Sequence, residues 1–191
     1  MSRMSTARRV HHSYDDYLLL LSSGDTKLEF CDGEIFAMAG GTPAHAELSV
    51  ATSSLLRSAL GGCKVYSSDL KVHVEATGLS TFPDGTVVCE ELRTAAFDRN
   101  AVINPAIVVE VTSRSTEDYD RGEKTSHYKQ IPSLQAILIV SHRRRQITLV
   151  VRTDDGFDVR DVRSGERVRL VSPALDLAVD DVYRGVELDP A

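Results

Sequence analysis

A mixed α/β domain around one central sheet is the fold class that this 191-residue chain predicts. Three observations predict it. Two near-continuous apolar runs, "AIVVEVTS" and "LQAILIVS", look like strands buried within a mixed sheet. Three helical stretches have recognisable start and stop residues, and one of them lies between those runs. The last third of the chain, "QITLVVRT", "GFDVRDV" and "ERVRLVS", reads as an antiparallel meander.

The elements follow in order. Residues 1–12 read as a flexible basic leader, and residues 13–191 as a single domain. Ser13 is a helix N-cap with Asp15 and Asp16 in the first turn, and Gly24 ends that helix. "KLEFCDGEIFAMAG" is a hairpin turning at Asp32-Gly33. Thr42 caps a long helix that has Pro43 in its first position and stops at Gly61-Gly62. Its apolar face is Leu48, Ala51, Leu55, Leu56 and Leu60. "VYSSDLKVHVEA" alternates as one strand, Thr77 to Ser80 is a turn, and "FPDGTVVCEE" is the next strand. Asp120-x-x-Glu123 resembles a capping box opening a helix from Arg121 to Ile131, which Pro132 closes.

Composition bounds the function. Hydrophobic residues at 42% can build an ordinary core, and 26% charged residues argue against a disordered chain. The net charge of −6 argues against tight, nonspecific nucleic-acid binding, which runs on a basic surface. A local basic patch is still compatible with it. Cys31, Cys63 and Cys89 are widely spaced and odd in number, so they read as free thiols of a reducing compartment. The apolar run Leu18–Leu21 is too short for a signal peptide or membrane span, which points to a soluble, cytoplasmic protein.

The chemistry starts at Glu110, a carboxylate inside an apolar strand. Burying it unpaired is costly, so it needs a cation, a proton or a metal. Alternation along strands puts Val108, Glu110 and Thr112 on one face, and Phe82, Asp84 and Thr86 on another. If those strands are neighbours, Asp84 and Glu110 converge, and a hard ion such as Mg²⁺ or Mn²⁺ suits them. Such an ion serves phosphodiester cleavage. Lys124 would orient the water or steady the developing charge, and Tyr128 shares its helix face at i+4.

Each residue also has a plainer reading. Glu110 could pair with an Arg or Lys, Asp84 could be a turn residue, and Lys124 could pair with Asp120 at i+4. Glu29 fits a hairpin salt bridge, His45 a surface histidine and Tyr128 simple packing. His73 and Glu75 share a strand face that reads as solvated, and His11-His12 belongs to the leader. Arg143, Arg144 and Arg145 sit at a hairpin tip, as a solvated turn or a phosphate contact.

The pattern "LEFCDGEIFAMAG", Pro43-Ala44-His45, "FPDGTVV", "PAIVVEVTSRST" and "YDRGEKTSHY" resembles the Uma-two family of restriction-endonuclease-type proteins, within the P-D…(D/E)-x-K nuclease superfamily. The resemblance covers roughly residues 13–185. It implies a restriction-endonuclease-like core, a mixed central sheet flanked by helices with additional hairpins. By resemblance, Pro83-Asp84 and Glu110 are the acidic elements, the Val111 carbonyl a third ion ligand, and Lys124 the lysine moved onto the next helix. Glu29, His45 and Asp120 match further family positions. Thr112 stands where the superfamily lysine would follow Glu110, and Arg114 where the family tends to have proline.

The expectation is therefore a Mg²⁺-dependent endonuclease acting on nucleic acid, with DNA the favoured substrate and a homodimer implied by the class. Two alternatives are a nuclease-like module that binds without cutting, and a hydrolase of small phosphorylated substrates.

Overall fold

The computed structural model describes residues 11–38 and 40–190. Its first half holds helix α1 (Tyr14–Ser23), the hairpin β1 (Leu28–Cys31) and β2 (Glu34–Ala37), helix α2 (Pro43–Ala59) and strands β3 (Lys64–Ser67), β4 (Lys71–Val74), β5 (Leu79–Thr81) and β6 (Gly85–Val88). Then come β7 (Thr94–Ala95), β8 (Asp98–Val102) and β9 (Ile107–Val111). A continuous helical segment follows: α3 (Glu117–Tyr119), a π-helical turn (Asp120–Lys124) and α4 (Thr125–Tyr128). Strands β10 (Ala136–Val140), β11 (Gln146–Thr153), β12 (Gly156–Arg163), β13 (Arg167–Leu170) and β14 (Leu175–Ala178), with α5 (Val179–Val182), complete the chain.

The strands form two six-stranded sheets and a two-stranded one. The first runs β2-β1-β5-β4-β8-β7 and the second β12-β11-β10-β9-β6-β3. Both are mixed: β9 and β10 are parallel, as are β4 and β8, and the other pairings are antiparallel. Parallel neighbours need a crossover, and the helical segment 117–128 supplies it between β9 and β10.

Side-chain alternation decides what covers the second sheet. Ile107, Val109 and Val111 pack with Leu48 and Leu56 of α2 on one face. Val108, with Ile137 and Ile139, packs on the other face against Tyr128, Ile131 and the β4–β5 residues Val72, Val74 and Leu79. Glu110 shares the parity of Val108, so it faces the crossover helix and the first sheet. It stays buried there, 4% exposed.

Local signals set the boundaries where they are strong. Ser13 and Asp16 form a reciprocal capping box on α1. The Thr42 side chain accepts from the His45 N–H, with Pro43 opening α2. Asp32 and Gly33 both have positive φ, 47° and 82°, which a two-residue type I′ hairpin turn requires. The resulting register sets Glu29 opposite Phe36.

Several expectations are corrected. The single central sheet is two sheets, because the additional early strands pair among themselves and with β8. "VYSSDLKVHVEA" is two strands in different sheets, broken by a turn in which Leu70 N donates to Ser67 O at 3.1 Å. Strand β5 takes up Leu79 and Ser80 of the expected turn. Strands β7, β8 and β14 and helix α5 were not anticipated, and β13 pairs with β14 instead of extending the meander. The crossover helix begins earlier than Arg121. Asp120 does not cap it, since its N–H already donates to Thr116 O at 2.8 Å. His73 is buried, bonded through Nδ1 to Ser80 Oγ at 2.8 Å, so its strand face is not solvated.

Cys63 and Cys89 form a disulfide. Strand β3 pairs antiparallel with β6 from Lys64↔Val88, and one step further sets these cysteines face to face, 4.0 Å apart at Cα. The argument from three free thiols to a reducing compartment therefore fails; Cys31 alone is free. Of the expected leader, residues 1–10 lie outside the described residues, and the His12 N–H donates to Gly33 O at 2.9 Å.

Candidate active site

The site is assembled where β6 enters the sheet beside the end of β9. These strands pair antiparallel through Gly85↔Val109 and Thr86↔Val108. Continuing that register one residue places Asp84 opposite Glu110, so the two carboxylates converge. The Val111 N–H donates to Asp84 Oδ2 at 2.7 Å, which fixes the aspartate against the end of β9. Gly85 lets α2 lie close by: a Cβ there would meet Ser53 Oγ at 3.1 Å and Val109 Cβ at 3.3 Å. Ser49 on the same helix donates to the Asp84 carbonyl at 3.2 Å.

Helix α2 contributes His45 from its first turn. His45 Nε2 lies 3.3 Å from Asp84 Oδ2. The Asp84 carboxylate raises the His45 pKa, against the effect of burial, and the Val111 backbone adds to the rise.

The crossover helix contributes Asp120, Lys124 and Tyr128. The π-turn widens the helix at this point, and Thr125 Oγ1 donates to Asp120 O at 2.6 Å within it. Such turns recur at functional sites because they re-aim a side chain without ending a helix. Lys124 Nζ lies 3.0 Å from Glu29 Oε1, 3.1 Å from Glu110 Oε1 and 3.9 Å from Asp120 Oδ1. The Tyr128 hydroxyl donates to Glu110 Oε1 at 2.5 Å. Glu29 comes from β1 and also accepts a short hydrogen bond from Thr81 Oγ1.

Four carboxylates, Glu29, Asp84, Glu110 and Asp120, thus surround one lysine and one histidine. Burial pushes the Glu110 carboxyl up to about 8; Asp120 and Asp84 act in the same direction, while Lys124 and Tyr128 oppose it. Burial also raises Asp120. Burial pulls the Lys124 pKa down, but Glu110, Glu29 and Asp120 outweigh it and raise the pKa above its ordinary value. Once Glu110 and Asp120 ionise, the four carboxylates outnumber the two cations.

That excess fits a further cation. Among the described residues, no group of three or more His, Cys, Asp or Glu forms a metal cage. A hard ion that keeps several waters and needs one or two carboxylates suits this donor set, whereas zinc does not. The hydrogen bonds described fall on Asp84 Oδ2 and Glu110 Oε1, so each carboxylate has a second oxygen for such an ion.

The structure therefore brings together Asp84, Glu110, Val111, Lys124, Glu29, His45, Asp120 and Tyr128. Glu29, Asp84, Glu110 and Lys124 line a cleft of about 860 Å³. It leaves Arg143, Arg144 and Arg145 outside the cleft lining. Arg143 Nε donates to His142 Nε2 at 3.0 Å, and Arg144 and Arg145 are exposed. Sequence reasoning missed Phe36, Tyr119 and His127, which line the cleft. Phe36 could have been found, because the Asp32-Gly33 turn fixes it opposite Glu29.

Comparison with known proteins adds the family context. A family model, Uma2, described as "Putative restriction endonuclease", matches residues 14–181. The uncharacterized protein slr1290 of Synechocystis sp. is 37% identical over 179 residues, covering 91% of this chain and 92% of that protein. The uncharacterized protein sll1609 of the same organism is 31% identical over 127 residues, covering 65% of this chain and 72% of that protein. The crystal structure of a "putative nuclease belonging to DUF820" from Anabaena variabilis superposes with a TM-score of 0.72 at 16% identity, covering 88% of this chain and 96% of that one. The fold is the restriction-endonuclease-like one.

Proposed function

The chain belongs to the Uma2 family, and from that premise we propose that it is a Mg²⁺- or Mn²⁺-dependent endonuclease hydrolysing phosphodiester bonds of DNA. The observation that carries this reading is the convergence of Asp84 and Glu110 across the β6–β9 ladder, beside the buried cation of Lys124. The Asp84 and Glu110 carboxylates and the Val111 carbonyl would hold the ion. When bound, such an ion polarises a phosphoryl oxygen and lowers the pKa of an attacking water.

The protein's own groups do the rest. Lys124 would orient that water or balance the charge that builds on the phosphoryl oxygens as the new P–O bond forms and the bond to the leaving oxygen breaks. Tyr128 and Lys124 hold one oxygen of Glu110, which leaves the other for the ion. Asp120 and Glu29 would fix Lys124, and His45 would hold Asp84 in place. Cutting both strands of a duplex would need two copies of the site.

A module that binds without cutting draws on the same ion pairs, since Lys124 already neutralises part of Glu110. Cleavage separates the two readings. Circular single-stranded DNA and supercoiled plasmid would be incubated with Mg²⁺, Mn²⁺ or EDTA. The nuclease reading expects metal-dependent cutting of at least one substrate, lost at least about 100-fold in Asp84→Asn and Glu110→Gln, in line with removal of a main catalytic group. No cutting with either ion, or equal cutting by the variants, would refute it.

A further inference from the structure

The walls of the cleft carry information about its substrate that the ion site does not. Seven carboxylate side chains line it, against one lysine, three histidines and no arginine among the described residues. That lysine is already engaged by Glu29 and Glu110. Asp32 and Glu123 extend the carboxylate lining outward from the buried cluster. A surface that tracks a DNA duplex does the opposite, since it neutralises a row of phosphates with Lys and Arg. The basic triplet at Arg143–Arg145 lies outside the lining.

The same walls offer rings. Phe36 lines the cleft and is 46% exposed. It sits directly opposite Glu29 in the β1–β2 register, so both side chains stand on one face of the sheet. The ring is thus next to the glutamate that pairs with Lys124. Tyr119, half-buried, lines the cleft from the crossover helix. Base–aromatic stacking is indifferent to phosphate charge and requires an unpaired base. The cleft volume, about 860 Å³, suits a few nucleotides.

We propose that the cleft takes single-stranded DNA, held by stacking of an unpaired base on Phe36, with little neutralisation of the phosphate backbone. The proposal rests on the nuclease reading for the identity of its ligand class and adds the strandedness. One strand in one cleft also needs no second copy.

The test measures binding and cutting separately. A labelled ten-nucleotide single strand and a hairpin duplex of the same sequence would be titrated with the full-length protein in Ca²⁺, by fluorescence anisotropy, at salt from 50 to 200 mM. The single strand should bind tighter than the duplex. Its affinity should fall by less than about tenfold over that range, because few phosphates are neutralised. Phe36→Ala should weaken single-strand binding about tenfold, the loss of one stacked base, and Phe36→Trp should restore it. Phe36 is exposed, so neither variant threatens the fold. Tighter duplex binding, a salt loss near a thousandfold, or an indifferent Phe36→Ala would overturn the proposal. Mg²⁺ cleavage of both probes keeps the premises apart. Duplex cut faster than single strand sinks the strandedness alone, whereas no cutting of either sinks the nuclease reading even if the binding order holds.

Discussion

Replacing Lys124 with methionine should expose how much the acidic cluster depends on its one buried lysine. Lys124 Nζ sits 3.0 Å from Glu29 Oε1 and 3.1 Å from Glu110 Oε1, with all three side chains almost fully buried. At an effective dielectric of about 20, each such pair is worth roughly 5 kcal/mol before desolvation. Withdrawing the ammonium from water offsets much of that sum. Truncating one partner of a buried pair leaves a net loss of about 3–5 kcal/mol, because the remaining charges stay buried without compensation. That is a large share of the roughly 5–15 kcal/mol that holds a domain of this kind together. Urea unfolding of Lys124→Met in EDTA at pH 8 should show it. At pH 5.5 the loss should shrink, since the carboxylates can take protons. Adding Glu29→Gln to Lys124→Met should recover at least about 2 kcal/mol, because it removes the carboxylate that Lys124 pairs with at 3.0 Å. A single variant within about 1 kcal/mol of wild type at pH 8, or a double variant no more stable than the single, would refute the electrostatic account of the cluster.

Other outcomes follow from the same geometry. Tyr128→Phe removes the hydroxyl that donates to Glu110 and should cost about 1.5–3 kcal/mol in denaturant unfolding at pH 8, the range for a hydrogen bond to a charged group. The metal-free protein should lose stability with rising pH. Glu110 has its folded pKa raised from 4.5 to about 8, so its contribution is complete below about 4.5 and is lost as pH rises through about 8. The slope is at most about 1.4 kcal/mol per pH unit, and urea melts of Glu110→Gln in EDTA should lack it. For the same reason, ion affinity at this carboxylate should grow as pH rises towards 8. Alkylation of the unreduced protein should label Cys31 alone. Reducing the Cys63–Cys89 link, which spans 26 residues, should cost about 3.5 kcal/mol.

Much of the scaffold was legible from the sequence because its signals are local. Ser13, Thr42-Pro43 and Asp32-Gly33 act through their own turns, and the structure has them where those residue types predict. The apolar runs of β9 and β10 announced buried strands because nothing else fits such composition. The site was legible only conditionally. Alternation gave the faces of Asp84 and Glu110, but their meeting depends on β6 pairing with β9, which no local signal states. Features set by distant parts of the chain were hidden. The Glu29–Lys124 ion pair joins the first hairpin to the crossover helix, and the disulfide follows from the β3–β6 register. The π-turn at Asp120–Lys124 looks in sequence like a helix start, because Asp and Glu three apart suit a cap equally well. The first sheet gathers strands of two to five residues, too short to show a period before their neighbours bury them.

The central claim is that the carboxylates facing each other at Asp84 and Glu110 hold a divalent ion for phosphodiester cleavage. Calorimetric titration of Mg²⁺ and Mn²⁺ into wild type and Asp84→Asn tests it most directly, run on the protein alone and again, with Ca²⁺ as the ion, in the presence of DNA. Asparagine can still accept the Val111 N–H, so the variant keeps the fold while losing the charge. The account predicts binding by the wild type in at least one of those states and its loss in the variant. Equal binding by both proteins, or none by the wild type in either state, would contradict it.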